Sequence, residues 1–494
     1  MTELESAVVS KMLALGLILE AEAFDMIANL PPELNVDSVI EKLVVVKTLD
    51  SQNGRVVTKA DLESIIPPAS QPAAGEKLVV PDQAPDVEVN SDPTMGVSPI
   101  EANEGFKALF EDRYLRLLSV MKKRPDTRAL GSTSTARGLA WGQKAKVAGL
   151  LLNRINRRGS LDLIIDDRVG TMKLGCQDPE VMKAALEAPL DSMVVVEVSK
   201  AKSGQLYASS LTLPDIPERR ATTSSHRAYA VLLSDLHIGS RMFLQEDFSR
   251  FVLWLNGQLG DLDVVSRIRY VVIAGDLIDG VGVYPGQEFQ LSERDPKNQY
   301  ALAAKLLSGI PSHVQIVVSP GNHDPVRQAL PQPAVSVEMA EPLYKMENLR
   351  WVGDPSYVKL YGVTFLVFHG KSLDDVIATT PGLTYSRPAD AMKLLLRARH
   401  LAPTYGKRTA LSPEQRDFLV IDSVPEVFHA GHVHTFEEQT YRGTLIVNSG
   451  TWQAQTSFQA NMGLEPTPSV VPVVDLSTLN VVRRNFGATG FEAN

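Results

Sequence analysis

Five apolar runs between residues 223 and 494 each end on a short loop carrying an acid, an amide or an imidazole, and this recurrence constrains the fold more than any other feature. "AYAVLL" runs into "SDLHIG", "RYVVIA" into "GDLIDG", "VQIVVS" into "PGNHD", "GVTFLVF" into "HG", and "PEVFHA" into "GHVH". The segments "DFSRFVLWLNGQL" and "YALAAKLLSGI" between the first three have helical spacing. Strand alternating with helix predicts an α/β domain over 223–494. In such sheets functional groups collect outside the carboxyl ends of the strands. Those ends carry Asp235, His237, Asp276, Asn322, His323, Asp324, His369, His432 and His434. A short Asp-x-His loop directs Asp235 and His237 at one point. Mixed carboxylate and imidazole donors suit Mn²⁺, Fe²⁺, Zn²⁺ or Mg²⁺ better than a metal that prefers thiolate. Gly239, Gly275, Gly321, Gly370 and Gly431 supply the turns that converging loops require.

A lone histidine is more often a surface or satisfied core residue, but five ligand-bearing motifs in order are not explained that way. For the others the plain reading holds. His226, His313 and His400 are expected to be solvated or structural, and His429 to pack behind the site.

Upstream, the composition changes twice. Residues 1–66 read as a small helical module, with a capping-box-like Thr58/Asp61 pair opening "TKADLESII". Residues 67–100 are rich in Pro, Ala, Asp and Ser without periodicity, the composition of a disordered linker. Residues 101–222 read as a helix, "EGFKALFEDRYLRLLSVMKKR", followed by short β-rich runs broken by Gly, Asn and Asp. That pattern fits a five-stranded barrel of OB type. The chain is therefore expected to be multidomain.

Composition excludes several classes. The single cysteine, Cys176, rules out an internal disulfide framework and a cysteine-built zinc site. No window approaches the 18 apolar residues of a spanning helix, and the run Met12 to Leu19 follows acidic Glu3 and Glu5 instead of a basic stretch. No membrane partner and a cytoplasmic, nucleoid-associated location are expected. The net charge of −9 does not present the positive field of a protein that holds nucleic acid alone.

The set Asp-x-His, Gly-Asp, Gly-Asn-His-Asp, His, Gly-His-x-His resembles the calcineurin-like metallophosphoesterases, which implies a four-layer α/β domain. With a barrel and a tethered helical module ahead of it, and with the strings "GVYPGQE" and "YALAAKLL", the chain is similar to the small subunits of archaeal family D DNA polymerases. The related eukaryotic replicative B subunits share the architecture but have lost most metal ligands. Here every motif is intact.

The resemblance implies two divalent metal ions, Mn²⁺ first, with Mg²⁺, Fe²⁺ or Zn²⁺ as alternatives. Asp235, His237, Asp276 and His434 would hold one and Asp276, Asn322, His369 and His432 the other. His323 would protonate the leaving oxygen, oriented by Asp324, and Asn448 in "VNSGTW" would be structural. The implied activity is a 3′–5′ proofreading exonuclease acting on the primer 3′ end, in a heterodimer or larger complex with a polymerase large subunit. A sliding clamp is a further candidate partner for residues 1–66. Candidate DNA contacts are Arg241 and, from "RARHLAPTYGKR", Arg397, Arg399, Lys407 and Arg408. Between Leu130 and Pro214 the only aromatics are Trp141 and Tyr207, which favours a protein-interface role for the barrel over base stacking. The alternatives are a structural scaffold for the large subunit, or an independent repair nuclease or phosphodiesterase.

Overall fold

The computed structural model describes residues 85–97, 101–461 and 463–487, with short stretches at 17–20, 23, 56–58 and 492–493. The chain divides into two compact units, residues 1–78 with 258–260, and residues 79–257 with 261–494. In the first, Ile18–Leu19 pairs in parallel with Val56–Val57. The helical module expected over 1–66 otherwise lies outside the described residues.

The second unit begins inside the stretch expected to be a linker, 67–100, and so corrects that expectation. Val87–Ser91 is a strand pairing antiparallel with Ser356–Leu360 at the edge of a six-stranded sheet. Its period-two text, Val-Glu-Val-Asn, half-buries Val87 and Val89 and leaves Glu88 and Asn90 in water. The Asp92 carboxylate then accepts from the Thr94 and Gly353 amides, fastening the turn that follows. Proline-rich flanks concealed a strand too short to dominate the local composition.

The helix Ala102–Lys122 leads into five strands, Lys144–Arg157, Ser160–Asp167, Gly170–Cys176, Met193–Lys200 and Leu206–Thr212. They close into a barrel in the order first, second, third, fifth, fourth. Closure follows from alternation: Leu161, Leu163 and Ile165 point inward to meet Leu174, Val194, Val196 and Val198. Cys176 is buried there as a free thiol. The helix Pro179–Glu187 is started by Asp178, whose carboxylate accepts from the Glu180 and Val181 amides, with Pro179 at its first position.

Beyond the barrel, two sheets pack face to face. One has seven strands, with Tyr229–Leu233, Ile268–Ala274, Gln315–Ser319 and Leu349–Trp351 mutually parallel. The other has six and includes Val363–Val367, Val427–Ala430 and Thr444–Ser449. Leu232, Val272 and Val317 from the first sheet and Phe365, Val367, Val427 and Val447 from the second share one buried cluster between them. Ile268–Ala274 is buried at every residue, as a strand covered on both faces must be. Outside the six-stranded sheet, helices Leu373–Thr379 and Pro388–Ala398 cover Leu366, Phe428 and Ile446. On the other side, Gln245–Leu255 packs Phe248 and Phe251 against Trp452. The domain therefore has four layers, and the barrel sits beside it.

A buried ion pair joins the two parts. Arg113, on the helix Ala102–Lys122, donates to Asp417 at 2.8 Å and to the Pro403 carbonyl at 2.8 Å, and His400 meets the same carboxylate at 2.9 Å. Both Arg113 and Asp417 are fully buried. Burial, and then the Arg113 cation, push His400 down to about 4, so it stays neutral. His400 is structural, whereas His226 lies exposed against the Tyr361 ring. Among the described residues no helix is long and apolar enough to cross a membrane.

Candidate metal centre

Parallel strands Tyr229–Leu233, Ile268–Ala274 and Gln315–Ser319 bring three of the five loops to one edge, and Val363–Val367 with Val427–Ala430 bring the other two from the facing sheet. To turn inward immediately, Asp235, His237, Asp276, His432 and His434 all take positive φ, between 51° and 73°. Asp, Asn and His tolerate that region better than other side chains, but a cluster of such conformations is stored strain of a kind that gathers at functional sites. Gly321 makes room: a Cβ there would overlap Asp276 Oδ1.

The donors converge in two groups that share acids. His434 Nε2 stands 3.0 Å from His237 Nε2 and 3.3 Å from Asp235 Oδ1, and His237 Nε2 is 3.9 Å from Asp276 Oδ2. On the other side of Asp276, His369 Nε2 lies 3.3 Å from Oδ2 and 3.0 Å from Asn322 Oδ1. Asp235 Oδ1 is buried and meets these imidazoles without hydrogen-bond geometry, leaving an anionic oxygen with no donor of its own. Such an oxygen costs heavily unless something charged meets it. Two imidazoles and a carboxylate facing one point are what a divalent cation takes, so the residues fit the metal pair.

Each imidazole is held from behind. His237 Nδ1 bonds Asp279 Oδ1 at 2.9 Å, His369 Nδ1 bonds the Ala274 carbonyl at 2.9 Å, and His434 Nδ1 lies 2.7 Å from Gln459 Nε2. Their Nε2 atoms are thereby turned toward the carboxylates. His432 is the reverse. Its Nε2 bonds Asp374 at 3.1 Å, itself held by the Tyr385 hydroxyl, so Nδ1 is the nitrogen left to a ligand role. Outer partners of this kind fix ring orientation and tautomer in metal sites. Asp279, Asp374, Gln459 and Tyr385 were not expected from the sequence. Asp279 alone had a signal, as the second acid of "GDLIDG".

Electrostatics follow from burial and crowding. Burial lowers the affinity of His237 for a proton, but the carboxylates of Asp279, Asp276 and Asp235 outweigh it and raise the group to about 9. His369 goes to about 10 for the same reasons, with Asp276 the main partner. Against its own burial, Asp276 is held well below the usual carboxylate range by His369 and His323.

The raised values of the two histidines tie stability to pH. They add stability that is fully present below about 6.5 and lost as pH rises through about 9 to 10. Metal binding needs neutral rings, so loading displaces protons and strengthens by about tenfold per pH unit for each proton released. Scanning calorimetry in EDTA should therefore show Tm falling between pH 6.5 and 9.5, while the increment from added Mn²⁺ grows. An increment independent of pH would contradict protonated rings in the metal-free centre.

His323 lines a cavity of about 190 Å³ that also meets Tyr284, Asn322 and Asp374. Its Nδ1 bonds the Asp279 carbonyl at 2.8 Å, and its Nε2 faces Asp276 Oδ2 at 4.0 Å. The expected partner does not orient it. Asp324 gives one oxygen to the Tyr300 hydroxyl at 2.8 Å and the other to the Gly321 and Leu277 amides. Being fully buried, it rises to about 6, and its work is to tie the two strand-end loops together. His429 is buried behind the centre against Ser449, and Asn448 donates to the Gly431 carbonyl at 2.7 Å, bracing the histidine loop.

The candidate DNA contacts separate. Arg241, Lys407 and Arg408 are exposed, and Arg397 is half-buried. Arg399 is only 2% exposed and donates to the Asp422 carbonyl, so it cannot meet DNA. It ends the helix Pro388–Ala398 in a left-handed turn, which rotates its side chain inward.

Residues 230–438 match the sequence family of DNA polymerase alpha/epsilon B subunits. The DNA polymerase II small subunit of Methanothermobacter thermautotrophicus is 34% identical over 487 residues, covering 96% of this chain and 99% of that one. The chain belongs to the archaeal DNA polymerase II small subunit family. The Archaeoglobus fulgidus member is 40% identical over 76% of each chain. The Pyrococcus furiosus member is 38% identical over 77% of this chain, which spans only 63% of that longer relative. Among solved structures, Vps29 from Cryptosporidium parvum is 14% identical over 54% of this chain at a TM-score of 0.28, and an archaeal phosphodiesterase is 14% identical over 52% at 0.27. The donor cluster lies within the stretch that matches the alpha/epsilon family.

Proposed function

We propose that this family member is a metal-dependent 3′–5′ exonuclease that trims mismatched primer ends for a polymerase large subunit. The observation that carries the reading is the orphaned Asp235 oxygen among inward-turned imidazoles, beside a histidine that faces an open cavity. Divalent ions held there would neutralise a phosphodiester and acidify water, which is the chemistry such sites supply. Asp235, His237, Asp276 and His434 would hold one ion, and Asp276, Asn322, His369 and His432 the other.

The chain's own residues then account for the rest. Asp279 and Asp374 hold the rings, and a strand end would enter by the cavity that His323 lines. His323, lowered chiefly by its burial, carries its proton on Nδ1 in the free site. An anionic phosphodiester brought against Nε2 raises its proton affinity, which lets it serve as the acid for the departing oxygen. A pure scaffold role leaves this strained and fully supported donor set without a purpose.

The test is a primer-template with a 3′ mismatch, labelled at the 5′ end, with the chain alone and with the large subunit. Stepwise shortening in Mn²⁺ that stops in EDTA and in Asp276→Asn is expected. No shortening in either preparation, with metal bound, would leave the scaffold reading.

A further inference from the structure

The loop between Gly280 and Gln290 leaves large apolar groups in water, and one of its residues reaches the cavity beside the metal centre. Phe289 is 71% exposed and Val281 44%, and Met242 on the neighbouring segment is 43% exposed. Tyr284 of the same loop lines the cavity, its ring 6.3 Å from that of His323.

The loop is held firmly. Gln287 is fully buried, donating to the Asp279 carbonyl and accepting from the Val283 amide. Gln290 accepts from the Tyr284 hydroxyl through its side chain and from the Arg241 amide through its carbonyl. Asp279, to which Gln287 is tied, is the residue that holds both His237 and His323. The loop that carries the exposed phenyl ring is thus tied by hydrogen bonds to the residue that holds those imidazoles.

We infer that Phe289, on the loop whose Tyr284 lines the cavity, is a stacking platform for the unpaired base at the 3′ end of a single strand. This rests on the exonuclease reading. The chain's charge of −9 limits what phosphate attraction contributes, and the exposed Arg241 is the nearby cation on the tethered segment. Stacking on an aromatic face does not depend on charge or on which base is presented, as proofreading of any mismatch requires. Unpairing exposes the face that a duplex end keeps stacked, so the platform also selects frayed over paired ends.

The test separates the platform from the nuclease. In EDTA, the full chain is titrated with an oligonucleotide carrying 2-aminopurine at its 3′ end. Quenching is expected with wild type and Phe289→Trp, and its loss in Phe289→Ala. In Mn²⁺, Phe289→Ala should raise KM about 5- to 100-fold for a normal 3′ end. It should leave an abasic 3′ end, and the metal content, unchanged. Quenching without any cleavage keeps the platform and removes the nuclease. Cleavage whose KM is equally insensitive to the variant on both ends removes the platform, as does a loss confined to association with the large subunit, which would make Phe289 a protein contact.

Discussion

Replacing His323 by alanine is expected to lower the rate of phosphodiester hydrolysis by about 10² to 10⁴ while leaving bound metal unchanged. The main chain of this residue already does separate work, because its amide donates to Asp276 Oδ1 at 2.8 Å and survives the substitution. Only the ring is lost, and with it the one imidazole whose outer partner is a carbonyl of the Asp279 loop and whose inner nitrogen faces the cavity. Geometry also offers the contrary outcome. His323, His237 and Asp276 lie close enough to form a ligand group of their own. Elemental analysis of the variant beside its kcat decides between them, since a fall in metal content parallel to activity would make His323 a ligand and remove it as the acid.

Replacing Arg113 by alanine is expected to cost about 3 to 5 kcal/mol of stability, because it strands a fully buried Asp417. His400 remains against that carboxylate and, freed of the neighbouring guanidinium, takes a proton more readily than its present value of about 4 allows. The deficit should therefore shrink as pH falls below about 6, where imidazole begins to charge. Urea unfolding at about pH 5.5 and 8 measures both effects, and a loss under about 1 kcal/mol at the higher pH would show that the pair contributes little to holding the helix Ala102–Lys122 in place. The paired change Arg113→Met with Asp417→Leu should cost less than either single change, since no charge is left buried.

Local order in the chain determined a good deal. Apolar runs of strand length ending on Asp, His and Asn bring those side chains to one sheet edge, since strand direction and loop length leave few other placements. The alternation in "SLDLIIDD" likewise suffices to turn Leu161, Leu163 and Ile165 into a barrel core. These features repeat every two residues or occupy a single loop, so a short window of sequence contains the whole signal. Tertiary structure decided what depends on a distant partner. Val87–Ser91 becomes a strand because Ser356–Leu360 offers it an unpaired edge, and Arg399 is buried because a left-handed turn aims it at Asp422. Asp324 turns to Tyr300 instead of to the histidine beside it, and Asp374 reaches His432 from a helix that no motif marked. A hydrogen bond is satisfied wherever folding brings donor to acceptor, and the spacing of residues along the chain carries no trace of that meeting.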